Sequence, residues 1–285
     1  MLGYWLQIIT YTEINAILAL GFYVIFASGQ FPFCCGAFMG IGAYFSAIFT
    51  VKFGSYYPIS LFAGAFTAAL VAYILSLPLL RLKGMFFAIA TLAFGEAVVI
   101  LFYNWEYVGG AMGFRGIPLK TTTNIVFIVL AVTIYFFIRF HNSPLYKTFT
   151  AIKDDEIAAS AVGINLFKYR SYSFALGAFF CGLGGGLMAH YLGIIEPVDF
   201  GIVQSTDIFL YSVIGGTEVF VGSIFGSFLL TIFPEVTRFI AQQRFIIYGI
   251  LLVVVVIYRP QGLIDKSILK KISRFFDVTI GRWFH

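Results

Sequence analysis

Long apolar runs recur along this chain, near residues 8–28, 34–52, 59–80, 85–103, 123–140, 171–190, 205–216, 221–240 and 245–258. About 20 apolar residues in a helix span the ~30 Å hydrocarbon core of a bilayer. Composition removes the alternative of a water-soluble fold. The chain is 60% hydrophobic and only 11% charged, with a mean hydropathy of +0.95. A soluble domain carries roughly 25% charged residues, so there is too little polar surface here to coat one. The runs are continuous rather than alternating, which excludes a lipid-facing β-barrel. The expected fold is all-α: a polytopic membrane protein of about eight or nine transmembrane or re-entrant helices. The run at 205–216 is short and ends on Gly215 and Gly216, so it reads equally well as a half-helix or a re-entrant piece.

The 285 residues fit one membrane domain over 1–264 and a short tail over 265–285. In the tail Ile268, Leu269, Ile272, Phe275 and Phe276 recur at helical spacing, with Lys270, Lys271 and Arg274 between them. That pattern predicts an amphipathic helix at the lipid interface. No basic region precedes the first apolar run, so no cleaved signal peptide is expected.

Basic residues set the orientation. Arg81 and Lys83, then Arg139, Lys147, Lys153, Lys168 and Arg170, then the basic tail from Arg259 onward all fall on one side if each of the nine runs crosses. The positive-inside rule makes that side cytoplasmic, with the loop at 141–170 and the C-terminus inside and the N-terminus outside. The net charge of +5 thus reports orientation and gives no argument for nucleic acid.

Several chemistries are missing. No Gly-Lys dipeptide occurs, so no phosphate-binding P-loop can form; His-Glu-x-x-His and Gly-x-Ser-x-Gly are also absent. His141, His190 and His285 have no ligand spacing, and Cys34, Cys35 and Cys181 lie in apolar runs as expected of buried thiols. No catalytic residue, metal or cofactor is expected. The acids inside apolar runs are Glu13, Glu96, Asp207, Glu218 and Glu235. Ionisable groups at membrane depth are costly and mark function by default. Glu96 and Asp207 are the best placed, and a structural helix-to-helix hydrogen bond and a place on a substrate path stand level for both.

One stretch breaks the pattern: AIKDDEIAASAVGIN, Ala151 to Asn165, with four consecutive charges at Lys153 to Glu156. Asp154 suits an N-cap, the acids complement the positive end of a helix, and Gly163 suits the left-handed residue that ends one. A helix of about two turns follows, too short to be stable alone. Ile157, Ala158, Ala161 and Val162 share one face. That face either folds back on the membrane domain or receives a cytoplasmic partner.

This loop resembles the coupling loop of ABC-importer permeases, whose pattern is Glu-Ala-Ala, three residues, then Gly. Ala158, Ala159 and Gly163 match its spacing, with the Glu displaced to Glu156 beside Asp155. The run KDDEIAASAVGIN is similar to the version in the branched-chain amino-acid (Liv-type) permease family. Five further blocks resemble that family in order: GQFPFCCGAFMGIGAY from Gly29, LRLKGMFFAIATLAFGE from Leu80, GGAMGFRGIP from Gly109, VIGGTEVFVGSIFGS from Val213 and RPQGL from Arg259. The resemblance covers about residues 15–263. Pro32, Cys34, Val108, Ser223 and Ser227 depart from the family's pattern near helix breaks, which bears on the substrate more than on the fold.

The resemblance implies a membrane permease subunit of an ABC importer for branched-chain or other hydrophobic amino acids, in the inner or plasma membrane of a prokaryotic cell. Its implied partners are two ATP-binding cassette ATPase subunits, a second and paralogous permease, and an extracytoplasmic solute-binding protein. It places ATPase coupling on Asp155, Glu156, Ala158, Ala159 and Gly163. A transporter pathway is expected where helices break at membrane depth, which points to Gly29, Gln30, Gly42, Glu96, Asp207, Gly215 and Gly216. Close helix packing is the competing role for these glycines, and the favoured one for Gly182 to Gly186. A urea or short-amide permease is the nearest alternative. An ion-coupled secondary transporter is the second, and it would need Glu96 or Asp207 but not the 154–163 helix.

Overall fold

The fold is seen in a computed structural model that describes residues 2–82, 84–236, 249, 253, 262 and 263. Ten α-helices occur among these residues: α1 (Leu2–Phe26), α2 (Cys35–Val51), α3 (Tyr57–Leu79), α4 (Met85–Asn104), α5 (Thr123–His141), α6 (Pro144–Asp154), α7 (Glu156–Ala161), α8 (Leu166–Leu192), α9 (Ile202–Gly215) and α10 (Phe220–Val236). Five of them, α1, α3, α4, α5 and α8, are long and apolar enough to cross a membrane. At ~1.5 Å per residue each exceeds or approaches the ~30 Å of a bilayer core. The 17-residue α2 is shorter.

Helices α1 and α8 form the centre, and α3, α4 and α5 turn more of their surface outward. Hydrophobicity cannot pull helices together in lipid, so close packing at small residues does it instead. A Cβ on Gly21 would meet the Cys181 sulfur and the Gly177 carbonyl at 2.7 Å. Gly42 lies against the Gly182 backbone, and Gly185 against the Met39 carbonyl. The glycine run of α8 is therefore a packing seam that lets α1, α2 and α3 close on it.

The predicted short segment at 205–216 is half of a broken pair. Residues Pro197–Gly215 and Phe220–Phe233 pass as one apolar unit but are bent by 119°. The bend follows Gly216, whose φ of 128° suits glycine and few other residues. Gly215 packs on Gly222, and Gly222 and Gly226 let α10 fold back along α9. Leu263 donates its N–H to the Ile214 carbonyl at 3.0 Å, returning the chain to this bend. The ninth apolar run, at 245–258, and the amphipathic tail at 265–285 lie outside the described residues, apart from positions 249 and 253.

The central loop holds two helices rather than one. Helix α6 was not expected from the sequence, and it changes the capping. Asp154 ends α6, and Asp155, not Asp154, caps α7: its Oδ1 accepts the N–H groups of Ile157 and Ala158 at 2.9 and 3.0 Å. The reason is that α6 has its own start, with Ser143 capping and Pro144 in the first turn. At the opposite end of the bundle a two-residue antiparallel pair, Phe114–Arg115 with Ile194–Ile195, ties the α4–α5 loop to the end of α8.

Candidate functional site

Helix α6 lies along the end of the bundle with one apolar side inward. Tyr146, Phe149 and Ile152 are buried, and the Tyr146 hydroxyl meets that of Tyr23 at 2.6 Å. Burial pushes the Tyr146 pKa up, so the phenol stays neutral. The Lys153 ammonium sits 4.0 Å above the Phe26 ring at the end of α1.

Helix α7 follows, seated on one residue. Ala159 is buried beneath it, while Ala158 and Ala161 are exposed. Ile157 is 82% and Val162 77% exposed. The face Ile157, Ala158, Ala161 and Val162 thus turns away from the bundle as an apolar patch on a polar loop. Gly163, at φ 85°, ends the helix in open space. Of the residues assigned to coupling, Asp155 caps the helix, Ala158 faces outward, Ala159 seats it and Gly163 stops it. The fifth, Glu156, reaches back to α8, where its Oε2 pairs with Nη2 of Arg170 at 2.8 Å.

That pair opens onto a cavity of about 430 Å³. The α1–α2 turn contributes Gly29, Gln30 and Phe33, the α3–α4 turn Leu82, and α9 Phe209. Two residues assigned to the pathway, Gly29 and Gln30, therefore share one cavity with Glu156. Gly29 has φ 79°, and a Cβ there would touch Lys153 Cα at 3.4 Å, so the turn lies directly against α6. Gln30 is buried; its Nε2 donates to the Ser28 hydroxyl at 2.7 Å, and to the Arg170 carbonyl and the Ser173 hydroxyl at 3.1 Å each. This network fastens the non-helical turn to α8.

The remaining pathway assignments lie elsewhere. Gly42 packs in the α2–α8 seam and does not line this cavity. Gly215 and Gly216 form the α9–α10 bend. Asp207 is buried on α9. Glu96, past the middle of α4, accepts the Ile202 N–H on its Oε1 at 2.8 Å. It caps the first turn of α9 at the positive end of that helix, where a carboxylate is favoured.

Sequence reasoning missed Arg170 as the partner of Glu156 and missed α6. It also missed His190, a core residue whose Nε2 lies 3.1 and 3.2 Å from the Ser46 and Thr50 hydroxyls and whose Nδ1 lies 3.1 Å from the Pro118 carbonyl oxygen. The serine N-cap followed by proline at 143–144 was the one available signal for α6.

A family model described as branched-chain amino acid transport system / permease component matches residues 4–256. The high-affinity branched-chain amino acid transport system permease protein LivM of Escherichia coli (strain K12) is 28% identical over 297 residues, covering 92% of this chain and 70% of that protein. The LivM of Salmonella typhimurium has the same identity and coverage. The probable branched-chain amino acid transport permease protein LivH of Methanocaldococcus jannaschii is 23% identical over 301 residues, 93% of each chain. No solved structure matches.

Proposed function

The chain belongs to the family of branched-chain amino acid transport permease components, and from that premise we propose that it is the membrane subunit of an ABC importer for branched-chain or similar hydrophobic amino acids. It forms part of the pathway across the inner membrane with a second, paralogous permease. Two ATPase subunits dock from the cytosol, and a solute-binding protein delivers the cargo outside.

One observation carries this reading: α7 turns its apolar face outward at the basic end of the bundle while resting on Ala159. An apolar patch on a six-residue helix is poorly suited to water, and a partner surface would cover it. The positive-inside rule puts this end in the cytosol. The partner's movement would reach the membrane helices by two contacts, Glu156 to Arg170 on α8 and Lys153 to the end of α1. The permease then switches between two arrangements that the ATPases bias. The apolar lining of the cavity suits an apolar side chain better than urea or a short amide.

The test is Ala158→Trp or Gly163→Pro in cells carrying the whole transporter. Leucine uptake should collapse while the protein still reaches the membrane and the ATPase subunit is lost from affinity purification. Unchanged uptake in both variants would remove the docking role.

A further inference from the structure

We infer that the groove between α3, α5 and α8 holds one acyl tail of a phospholipid from the outer leaflet, with the lipid phosphate beside Lys120. The inference needs only the membrane class of the chain and is independent of what the chain carries.

The groove has a volume of about 390 Å³. Leu61 and Phe62 of α3 form one wall, Val129 and Val132 of α5 the other, and Phe179 and Leu183 of α8 the floor. The walls stand apart because α3 packs on α2 and α8, whereas α5 packs chiefly on α1. The hydroxyls of Thr10 and Thr123, 2.8 Å apart, mark that α1–α5 contact. Phe62 and Val132 are 62% and 63% exposed on the rim, so the groove opens sideways to the hydrocarbon.

The lining suits hydrocarbon and not a polar ligand. Its two hydroxyls are already engaged: Thr133 donates to the Val129 carbonyl at 2.8 Å, and Tyr57 meets the Thr121 hydroxyl at 2.7 Å. An apolar cavity of this kind does not hold water. In lipid the hydrophobic effect gives no gain on entering it, and van der Waals fit decides instead. A flexible tail can follow a narrow groove that a bulkier group cannot.

Length distinguishes a lipid tail from a helix of another subunit. Along α5 the groove runs from Ile125 to Phe136, about 16 Å at ~1.5 Å per residue. That is close to half of the ~30 Å hydrocarbon core, the depth of one leaflet. Its lower end is closed by aromatic rings, where Phe136 lies 5.4 Å from Phe180 and 5.7 Å from Phe140. A transmembrane helix would need a seat across both leaflets.

The upper end carries the charge. It lies at the starts of α3 and α5, opposite the basic end of the bundle and thus outside. The outer loops hold few basic residues. Among them Lys52 lies over the Tyr107 ring at 4.8 Å, and Arg115 Nε donates to the Met112 carbonyl at 3.2 Å. Lys120 is exposed and adjoins Thr121, the partner of Tyr57 at the mouth of the groove. An ammonium at the interface above an apolar groove is complementary to a lipid phosphate. The seated tail would brace α5, which leads directly into α6 and the α7 loop.

The experiment uses the full chain in vesicles of phosphatidylethanolamine and phosphatidylglycerol, doped with phosphatidylglycerol carrying a diazirine midway along one tail. After illumination the adducts are mapped by mass spectrometry. Saturable labelling is expected in the peptides containing residues 57–62, 125–136 and 176–183. Lys120→Gln should weaken it roughly fivefold, the worth of one basic residue beside an anionic headgroup. Val129→Trp, which fills the groove, and Val132→Trp, on its exposed rim, should each abolish it in a chain that stays monodisperse. Ile74→Trp, on a lipid-facing part of α3 outside the groove, should leave it unchanged. Labelling spread evenly over the outward helices, or unchanged by both groove variants, overturns the site. Competition by oleate as strong as by phosphatidylglycerol would make the occupant a free fatty acid and overturn the phospholipid. Disulfide cross-linking between two Val132→Cys chains would seat a second copy there and overturn the lipid altogether.

Discussion

Glu156 and Arg170 are fourteen residues apart in the chain and 2.8 Å apart in space, and their contact is the one ion pair between α7 and α8 among the described residues. Both side chains are partly exposed, so the pair contributes only roughly 0.2–1 kcal/mol to stability. Its importance is positional, because it fixes the short helix to α8, the longest of the described helices.

Exchanging the charges tests that position. Glu156→Arg and Arg170→Glu should each reduce leucine uptake, and the double exchange should recover a part that the single changes do not sum to. A double-mutant cycle on uptake rates measures the coupling. Additive losses would show that the contact does not transmit anything.

The cap of α7 is a separate matter. Asp155→Ala removes the acceptor for two backbone N–H groups and should cost about 1 kcal/mol of local helix stability. Hydrogen exchange at the Ile157 and Ala158 amides should accelerate roughly five- to tenfold, in line with that free energy. Asp155→Asn should stay near wild type, since the amide oxygen accepts the same bonds.

Glu96 separates two mechanisms. As a cap on α9 it needs an oxygen and not a charge, so Glu96→Gln should retain most uptake and Glu96→Ala should lose about 0.5–2 kcal/mol of stability. Uptake should also persist when the proton and sodium gradients are dissipated with ATP held constant. Loss of uptake in Glu96→Gln, together with loss on dissipating the gradients, would point to an ion site and a secondary transporter.

The packing seam predicts a stability effect. Gly185→Leu drives a side chain into the Met39 backbone, where no flexible group can yield. Overpacking of this kind costs roughly 1–3 kcal/mol or more. The variant should lose thermal stability in detergent by size-exclusion assay, whereas Gly3→Ala, which meets nothing within 4 Å, should not.

Sidedness is the last test. A cysteine replacing exposed Ala158 should react with an impermeant maleimide in inside-out vesicles and not in intact cells. Reaction in intact cells would place α7 outside and end the importer scheme.

The membrane class, the family and the approximate positions of the long helices were legible because they depend on local properties of consecutive residues, whereas α1 and α8 begin five to six residues before the apolar runs do. A run either is long and apolar enough to span a bilayer or is not, and Gly163 ends a helix through its own backbone freedom. The break at Gly215 and Gly216 was legible for the same reason. The tertiary structure decided what each polar residue meets. The sequence weighs a structural hydrogen bond and a place on a path equally for Glu96; its contact with the first turn of α9 comes from Ile202, 106 residues away, and no local pattern shows it. Gly42 and Gly29 look alike in the sequence, yet one closes a helix seam and the other opens a turn beside a cavity. Nothing in the spacing of Glu156, Gln30 and Arg170 brings them together. Their meeting depends on how α1, α2 and α8 pack, and packing is set by shape complementarity across helices rather than by the order of residues within one.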